Sequence, residues 1–122
     1  MQLDLEKSGG NFIRSFSAGE IHVNEQVFFS NIIVTAEQII TDWSPPEIEN
    51  LSIMDFRPAL ELDPELILFG TGLVQRFPGS TMMSEIMRKG VGLEVMDTAA
   101  ACRTFNVLTG EHRQVVAALL IE

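Results

Sequence analysis

The chain has few of the residues from which chemical sites are commonly built. Its 122 residues include one cysteine, two histidines and no tyrosine. A single cysteine excludes an internal disulfide bond and a metal site made of several thiolates. Only 8 lysines and arginines oppose 17 aspartates and glutamates, for a net charge of −9, which argues against nucleic-acid binding because phosphates would be repelled. We therefore predict no cofactor, no metal ion and no nucleic-acid partner.

The chain also lacks long apolar runs. None approaches the ~18–20 residues that a membrane-spanning helix needs, and residues 1–10 show neither a signal-peptide nor a transit-peptide pattern. We therefore predict no membrane insertion and a cytoplasmic location. Apolar residues make up 46% of the chain and charged residues 20%, which is typical of a globular protein, and the length predicts one α/β domain over residues 1–122.

The acidic charge is concentrated in the first half of the chain. Residues 1–65 carry 12 acidic side chains against three basic ones, whereas residues 66–122 carry five of each sign. Two interpretations remain open. The acidic half is either a solvated surface that keeps the protein soluble or a docking face for a basic partner.

The first third of the chain predicts a small antiparallel meander. Residues 11–17 alternate between apolar and polar side chains, which favours a strand. Residues 21–23 and 27–29 flank a turn at Asn24, whose tolerance of positive φ favours a short hairpin. The β-branched run Ile32–Val34 predicts a further strand.

Strands and helices alternate in the remainder of the chain. We expect one or two helical turns between Ser52 and Pro58, and then a regular succession of longer elements. These are a strand at 66–69, a helix at 80–89 capped by Ser80 and ended by Gly90, a strand at 91–96, a helix at 97–108 capped by Asp97 and ended by Gly110, and a strand at 115–121. Short connections indicate βαβ units with the first two of these strands parallel. The direction of the last strand is left open.

Helical spacing also predicts which faces are buried. Met83, Ile86 and Met87 lie at i, i+3 and i+4 on one helix, and Ala101, Phe105 and Leu108 share a face of the other.

The end of the first parallel strand is the candidate ligand site. Gly70-Thr71-Gly72 follows this strand, and the turn at Asp97 and Thr98 follows the next one. Turns after parallel strands meet at the same edge of a sheet, where ligands commonly bind. Free glycine amides beside Arg76 and the helix start at Ser80 could hold an anion or carboxylate. The alternative is that the glycines only let the chain turn, since the full dinucleotide and P-loop patterns are absent.

Arg103 and its neighbours could extend this site. A guanidinium flanked by small residues and by Asn106 can reach a carboxylate, although water or Asp97 could equally satisfy it. Cys102 is interpreted as a buried structural thiol, because neither His22 nor His112 has a catalytic motif around it. No catalytic residue is predicted, and the complete candidate ligand-binding set is Gly70, Thr71, Gly72, Arg76, Ser80, Asp97, Thr98, Arg103 and Asn106.

Several stretches of the chain resemble a small family of α/β proteins of unknown function. They are Leu68-Phe69-Gly70-Thr71-Gly72, Phe77-Pro78 and residues 90–108, with residues 21–24 and 32–34 in the first third. The family includes the mitochondrial assembly factor three of respiratory complex I (NADH:ubiquinone oxidoreductase) and bacterial and archaeal relatives. The resemblance implies a three-layer fold around a mixed five-stranded sheet with one antiparallel strand, and no enzyme activity that can be named.

Two functions from different classes follow. The preferred one is a non-catalytic interaction or assembly module with a protein partner, in keeping with the resemblance and the one-sided acidic charge. The alternative is a small-molecule or anion-binding protein, or an uncharacterised enzyme, that uses the Gly70-Thr71-Gly72 loop.

Overall fold

Eight strands and three α-helices form the part of the chain that the computed structural model describes, residues 10–122. The sequence prediction for residues 1–9 lies outside these described residues. The strands are β1 (Ile13–Ser17), β2 (Glu20–Val23), β3 (Gln26–Phe28), β4 (Ile32–Val34), β5 (Ile39–Ile40), β6 (Leu66–Thr71), β7 (Gly92–Met96) and β8 (Val115–Leu120). The helices are α1 (Arg57–Leu60), α2 (Ser80–Arg88) and α3 (Thr98–Gly110), and single 3₁₀ turns span Ile48–Asn50 and Ile53–Phe56.

The central sheet has five strands in the order β5-β4-β8-β6-β7. Strand β6 is parallel to both β7 and β8, while β4 is antiparallel to its two neighbours. The mixed sheet with one antiparallel strand is therefore confirmed, and the last strand runs parallel to β6. All six residues of β6 are buried, as its unbroken apolar sequence predicts for a strand covered on both faces.

The antiparallel meander is confirmed for β1, β2 and β3, with Asn24 at φ 53° in the hairpin turn. The assignment of Ile32–Val34 to this meander is wrong. Strand β4 lies inside the central sheet, between β8 and β5, and all three of its residues are buried there. The two-residue strand β5 was not predicted.

Two layers cover the sheet, so the three-layer architecture is confirmed. One face packs against α3 and the meander, through residues such as Ile21, Val23 and Phe105. The other face packs against α1, α2 and the 3₁₀ turns. On that face Trp43, Phe56 and Phe69 make mutual edge-to-face contacts with centroids 5.1–6.2 Å apart, a favourable aromatic geometry. We call this second face the tryptophan face.

The helical turns near Pro58 extend further than predicted. The Asp55 carboxylate accepts hydrogen bonds from the backbone N–H and hydroxyl of Ser52, which starts the 3₁₀ turn. Pro58 lies in the first turn of α1, where its missing N–H would have no intrahelical partner in any case. The helical backbone therefore continues past the proline to Leu60.

The start and the buried face of α2 differ from the prediction. Gly79 is the N-cap and Ser80 is the first helical residue, so Ser80 does not cap the helix. Met82 and Ile86 are fully buried, Met83 is partly buried and Met87 is 49% exposed. The buried face is therefore centred about one residue before the predicted one. The spacing of apolar residues predicts a helix but does not fix which of its sides faces the core.

The predicted cap of α3 is confirmed, since the Asp97 carboxylate accepts the N–H of Ala100 at 2.9 Å. The helix continues through Gly110, past the predicted end at Leu108, and the left-handed residue of the following turn is His112 at φ 63°. Across residues 10–122, no helix combines the length and apolar character needed to cross a membrane.

Candidate functional site

The candidate corner lies where β6 and β7 end and α3 begins. Gly70 and Thr71 belong to β6 and not to a loop. A Cβ at Gly70 would lie 2.9 Å from the Thr98 hydroxyl oxygen and 3.0 Å from a methyl carbon of Leu119. Glycine is therefore required here because α3 and β8 pack closely against the strand.

Gly72 and Thr98 close this corner with hydrogen bonds. The Gly72 N–H donates to the Thr98 hydroxyl at 2.8 Å, and the same hydroxyl donates to the carbonyl of Leu120 at 2.6 Å. The Thr98 N–H donates in return to the Gly72 carbonyl at 2.9 Å. Gly72 has a φ of +96°, and a side chain there would collide with the carbonyl oxygen of Glu122. The amide that was expected to face an anion therefore has an internal acceptor.

Thr71 fixes the loop that leaves the corner. Its hydroxyl donates to the Val74 carbonyl at 2.6 Å and accepts the Arg76 N–H at 3.1 Å. The Gln75 side chain donates to the carbonyl of Val95 in β7 at 3.0 Å. The loop is therefore anchored both to β6 and to β7.

This anchored loop presents three large apolar side chains to solvent. Leu73 is 61% exposed, Val74 60% and Phe77 65%, and we call these three residues the apolar loop. The site predicted from the sequence included the neighbouring glycines but none of these three residues. The available signal was a short segment, bounded by glycine and proline, whose apolar residues belong to no predicted strand or helix.

The two arginines of the predicted site lie on different sides of the sheet. Arg76 pairs with Glu49 at 3.2 Å, next to Ile48, which packs in the tryptophan face. Arg103 is an exposed residue of α3, which covers the opposite face. The structure does not bring these two guanidinium groups together.

The remaining residues of the predicted site also lie in different parts of the molecule. Asp97 lies at the corner, where its carboxylate caps α3, and Ser80 is exposed at the start of α2. Asn106 instead binds the meander. Its side-chain oxygen accepts the Ile13 N–H at 2.9 Å and its amide donates to the Ile13 carbonyl at 2.8 Å. The structure thus brings together Gly70, Thr71, Gly72, Asp97 and Thr98, and an anion-binding role for the nine-residue set stays a prediction.

The chemistry of the other candidate groups is limited. Cys102 is buried, and desolvation raises the pKa of its thiol to about 12, only partly offset by the positive charge of Arg103. The thiol is therefore protonated at neutral pH. His22 contacts Glu20 at 2.7 Å. Within residues 10–122, no group of three or more His, Cys, Asp or Glu side chains is placed to hold a metal ion.

A shallow groove of about 770 Å³ lies between the Ile53–Phe56 turn, α1 and α2. Ile53, Leu60 and Val91 contribute apolar surface, and the Arg57–Glu61 ion pair, at 3.0 Å, lies along it with further charges of both signs. Because the groove combines apolar surface with charges of both signs, it favours no particular class of ligand.

A family model described as "Protein of unknown function (DUF498/DUF598)" matches residues 13–120. The chain belongs to this family, which confirms the resemblance seen in the sequence.

Individual relatives match nearly the whole chain. It is 30% identical over 120 residues to NADH dehydrogenase (ubiquinone) 1 alpha subcomplex assembly factor 3 of Danio rerio, over 97% of this chain and 68% of that protein. It is 27% identical over 105 residues to a protein of Francisella tularensis named "13 kDa major membrane protein", over 85% of each. A crystal structure of a protein from Bordetella parapertussis shares the fold with a TM-score of 0.82 and 34% identity, over 92% of this chain and 96% of that one.

Proposed function

We propose that this chain is a non-catalytic protein-interaction domain with an assembly-factor-like role. The observation that carries the proposal is the apolar loop, in which Leu73, Val74 and Phe77 are each at least 60% exposed. Large apolar groups clustered on a surface mark sites of protein–protein contact. Phenylalanine is enriched in the buried core of such interfaces, which makes Phe77 the expected anchor of the contact.

The rigidity of the loop supports the same role. The Thr71 hydroxyl and the Gln75 side chain hold the loop backbone to β6 and β7. A loop that is already ordered loses little conformational entropy when a partner binds, so more of the contact free energy remains as affinity. The buried, protonated thiol of Cys102 supplies no nucleophile that would favour an enzyme.

The finer proposal concerns the partner and the compartment. Since the Danio rerio relative is named as an assembly factor of NADH dehydrogenase, we extend that role to this chain and propose a respiratory-complex subunit as its partner. We propose a cytoplasmic location. The name of the Francisella tularensis relative, a membrane protein, makes cell fractionation the appropriate check of this location.

Affinity purification from the native cells tests the role. The tagged wild-type chain should recover the same partner in repeated purifications. The double variant Val74→Ser/Phe77→Ser should recover it at least about tenfold less, as expected when interface anchors are lost. Phe29→Ser is the matched control because Phe29 is an equally exposed phenylalanine, at 72%, outside the apolar loop. Equal recovery by wild type and the double variant would contradict the proposal.

A further inference from the structure

The outer edge of β7 is open in the described part of the chain. Strand β7 lies at one end of the central sheet and, within residues 10–122, pairs only with β6. Every residue of β7 is at least partly exposed, in contrast to the fully buried β6. An edge strand of this kind offers unpaired backbone groups to another chain.

The hydrogen-bond pattern identifies which backbone groups point outward. The Gly92 N–H donates to the Glu65 carbonyl at 2.9 Å, so Gly92 and every second residue after it direct their backbone groups toward β6. Leu93 and Val95 therefore direct theirs outward. The Val95 carbonyl confirms this direction, because it accepts from the side chain of Gln75. Within residues 10–122, the Leu93 N–H, the Leu93 carbonyl and the Val95 N–H have no hydrogen-bond partner.

The side chains on one face of this edge are apolar. Leu93 and Val95 pack only partly against the tryptophan face, as does Met83 of α2. Met87, one helical turn further along α2, is 49% exposed. The apolar loop reaches the same edge through Gln75. A strand added here would meet apolar side chains on this face at every second position.

The other face of the edge carries a charge. The exposed Glu94 lies between Leu93 and Val95 and projects to the opposite face. If two copies of β7 paired antiparallel over their full length, Leu93 would face Val95 and each Glu94 would lie directly opposite the other. Like charges in that position are destabilising, so Glu94 disfavours a second copy and favours a basic residue on the incoming strand.

We propose that β7 accepts an extended segment of a partner protein as a sixth strand of the central sheet. The segment carries apolar residues toward Leu93 and Val95 and a lysine or arginine opposite Glu94. Main-chain hydrogen bonds supply affinity and the alternating side chains supply specificity, as in other cases of strand addition. The inference rests on the proposed function and names the chemistry of the partner.

Titration of the isotope-labelled full chain with a peptide tests the inference without any knowledge of the natural partner. The probe is an acetylated octapeptide of alternating valine and lysine, and its control replaces lysine with glutamate. The lysine peptide should shift the amide signals of Leu93 and Val95 and slow their hydrogen exchange at least tenfold. The glutamate peptide should bind at least tenfold more weakly. Unchanged signals at Leu93 and Val95 with millimolar lysine peptide would overturn the proposal.

Two variants separate backbone pairing from side-chain packing. Leu93→Pro removes the outward N–H together with the leucine side chain, a substitution that edge strands tolerate, and Leu93→Ala loses most of the same side chain but keeps the N–H. Leu93→Pro should bind the lysine peptide at least tenfold more weakly than Leu93→Ala, and equal binding would overturn strand addition. If Leu93→Pro does not fold, Glu94→Lys decides the question. Its expected effect is to abolish the preference for the lysine peptide, and an unchanged preference would count against the proposal.

This test can fail independently of the proposed function. If wild type recovers a cellular partner and Leu93→Pro recovers it equally well, strand addition is wrong while the interaction role stands. If no partner is recovered but the lysine peptide protects Leu93 and Val95, the edge binds strands and the assembly role loses its support.

Discussion

Gly72 and Thr98 hold each other through two hydrogen bonds of opposite direction, at 2.8 and 2.9 Å, although 26 residues separate them. Because the Thr98 hydroxyl also donates to Leu120, a single buried side chain joins the ends of β6 and β8 to the start of α3. The apolar loop begins immediately after Gly72. The corner expected to bind a ligand thus has an evident structural use, which is to fix the position from which the loop projects.

Thr98→Val should reduce the free energy of unfolding by about 1–3 kcal/mol, because it leaves the buried Gly72 N–H without an acceptor and the Leu120 carbonyl without this donor. Valine has nearly the same shape as threonine, so packing is conserved. Thr98→Ser keeps the hydroxyl and should cost clearly less. Urea denaturation of the three proteins measures the difference, and equal midpoints for wild type and Thr98→Val would show that these bonds do not stabilise the corner.

Asn106→Ala should destabilise the chain by about 1–2 kcal/mol, because it removes both hydrogen bonds to Ile13 and with them the polar link between α3 and the meander. Arg103→Ala, three residues earlier on the same helix, is the matched control. Arg103 is exposed, and its loss should change stability by no more than about 0.5 kcal/mol. Thermal melts test the pair, and a larger loss for Arg103→Ala would mean that its guanidinium is structural.

The thiol of Cys102 should react with a disulfide reagent only after unfolding. Its pKa of about 12 leaves almost no thiolate at pH 8, whereas an unfolded cysteine with a pKa of about 8.5 is partly ionised. Because the unfolded chain loses this proton first, stability should fall as the pH rises from about 8.5 toward 12. Because the chain has one cysteine, labelling in native buffer and in urea measures the difference in thiol reactivity directly. Rapid labelling in native buffer would contradict the buried thiol.

Regular elements with strong local patterns could be predicted from the sequence. The apolar run of β6, the Asp97 cap and the buried face of α3 with Ala101 and Phe105 all follow from short-range spacing, and the structure has them. The position of β4 could not be predicted, because the β-branched run Ile32–Val34 is equally compatible with a strand of the meander and a strand of the central sheet. Its place depends on pairing with β8, some 85 residues later.

The candidate corner, too, could be predicted from the sequence only in part. The sequence indicated that Gly72 and Thr98 lie near each other, since the ends of parallel strands meet at one edge of a sheet. It could not indicate that the Gly72 amide is satisfied by the Thr98 hydroxyl, because that depends on side-chain geometry. The sequence likewise could not indicate that Arg76 and Arg103 lie on different sides of the sheet, because the pairing of Arg76 with Glu49 joins residues that are 27 positions apart.

Titration with inorganic phosphate distinguishes an anion site from a structural corner. Because the Gly72 N–H already donates to Thr98, we expect the amide signals of Gly70, Thr71 and Gly72 to stay unchanged at millimolar phosphate. The amide of Asn24, in a hairpin turn, reports the general effect of salt. A saturable shift confined to Gly72 and Ser80 would contradict this expectation and support the ligand site predicted from the sequence.

The proposed role depends on a protein binding at the apolar loop. Site-specific photo-crosslinking in the native cells tests this most directly, with benzoylphenylalanine placed at Phe77 and, as a control, at the equally exposed Phe29. We predict a crosslink to one defined protein from position 77 and none to that protein from position 29. Absence of a protein crosslink at position 77, or the same products from both positions, would contradict the account.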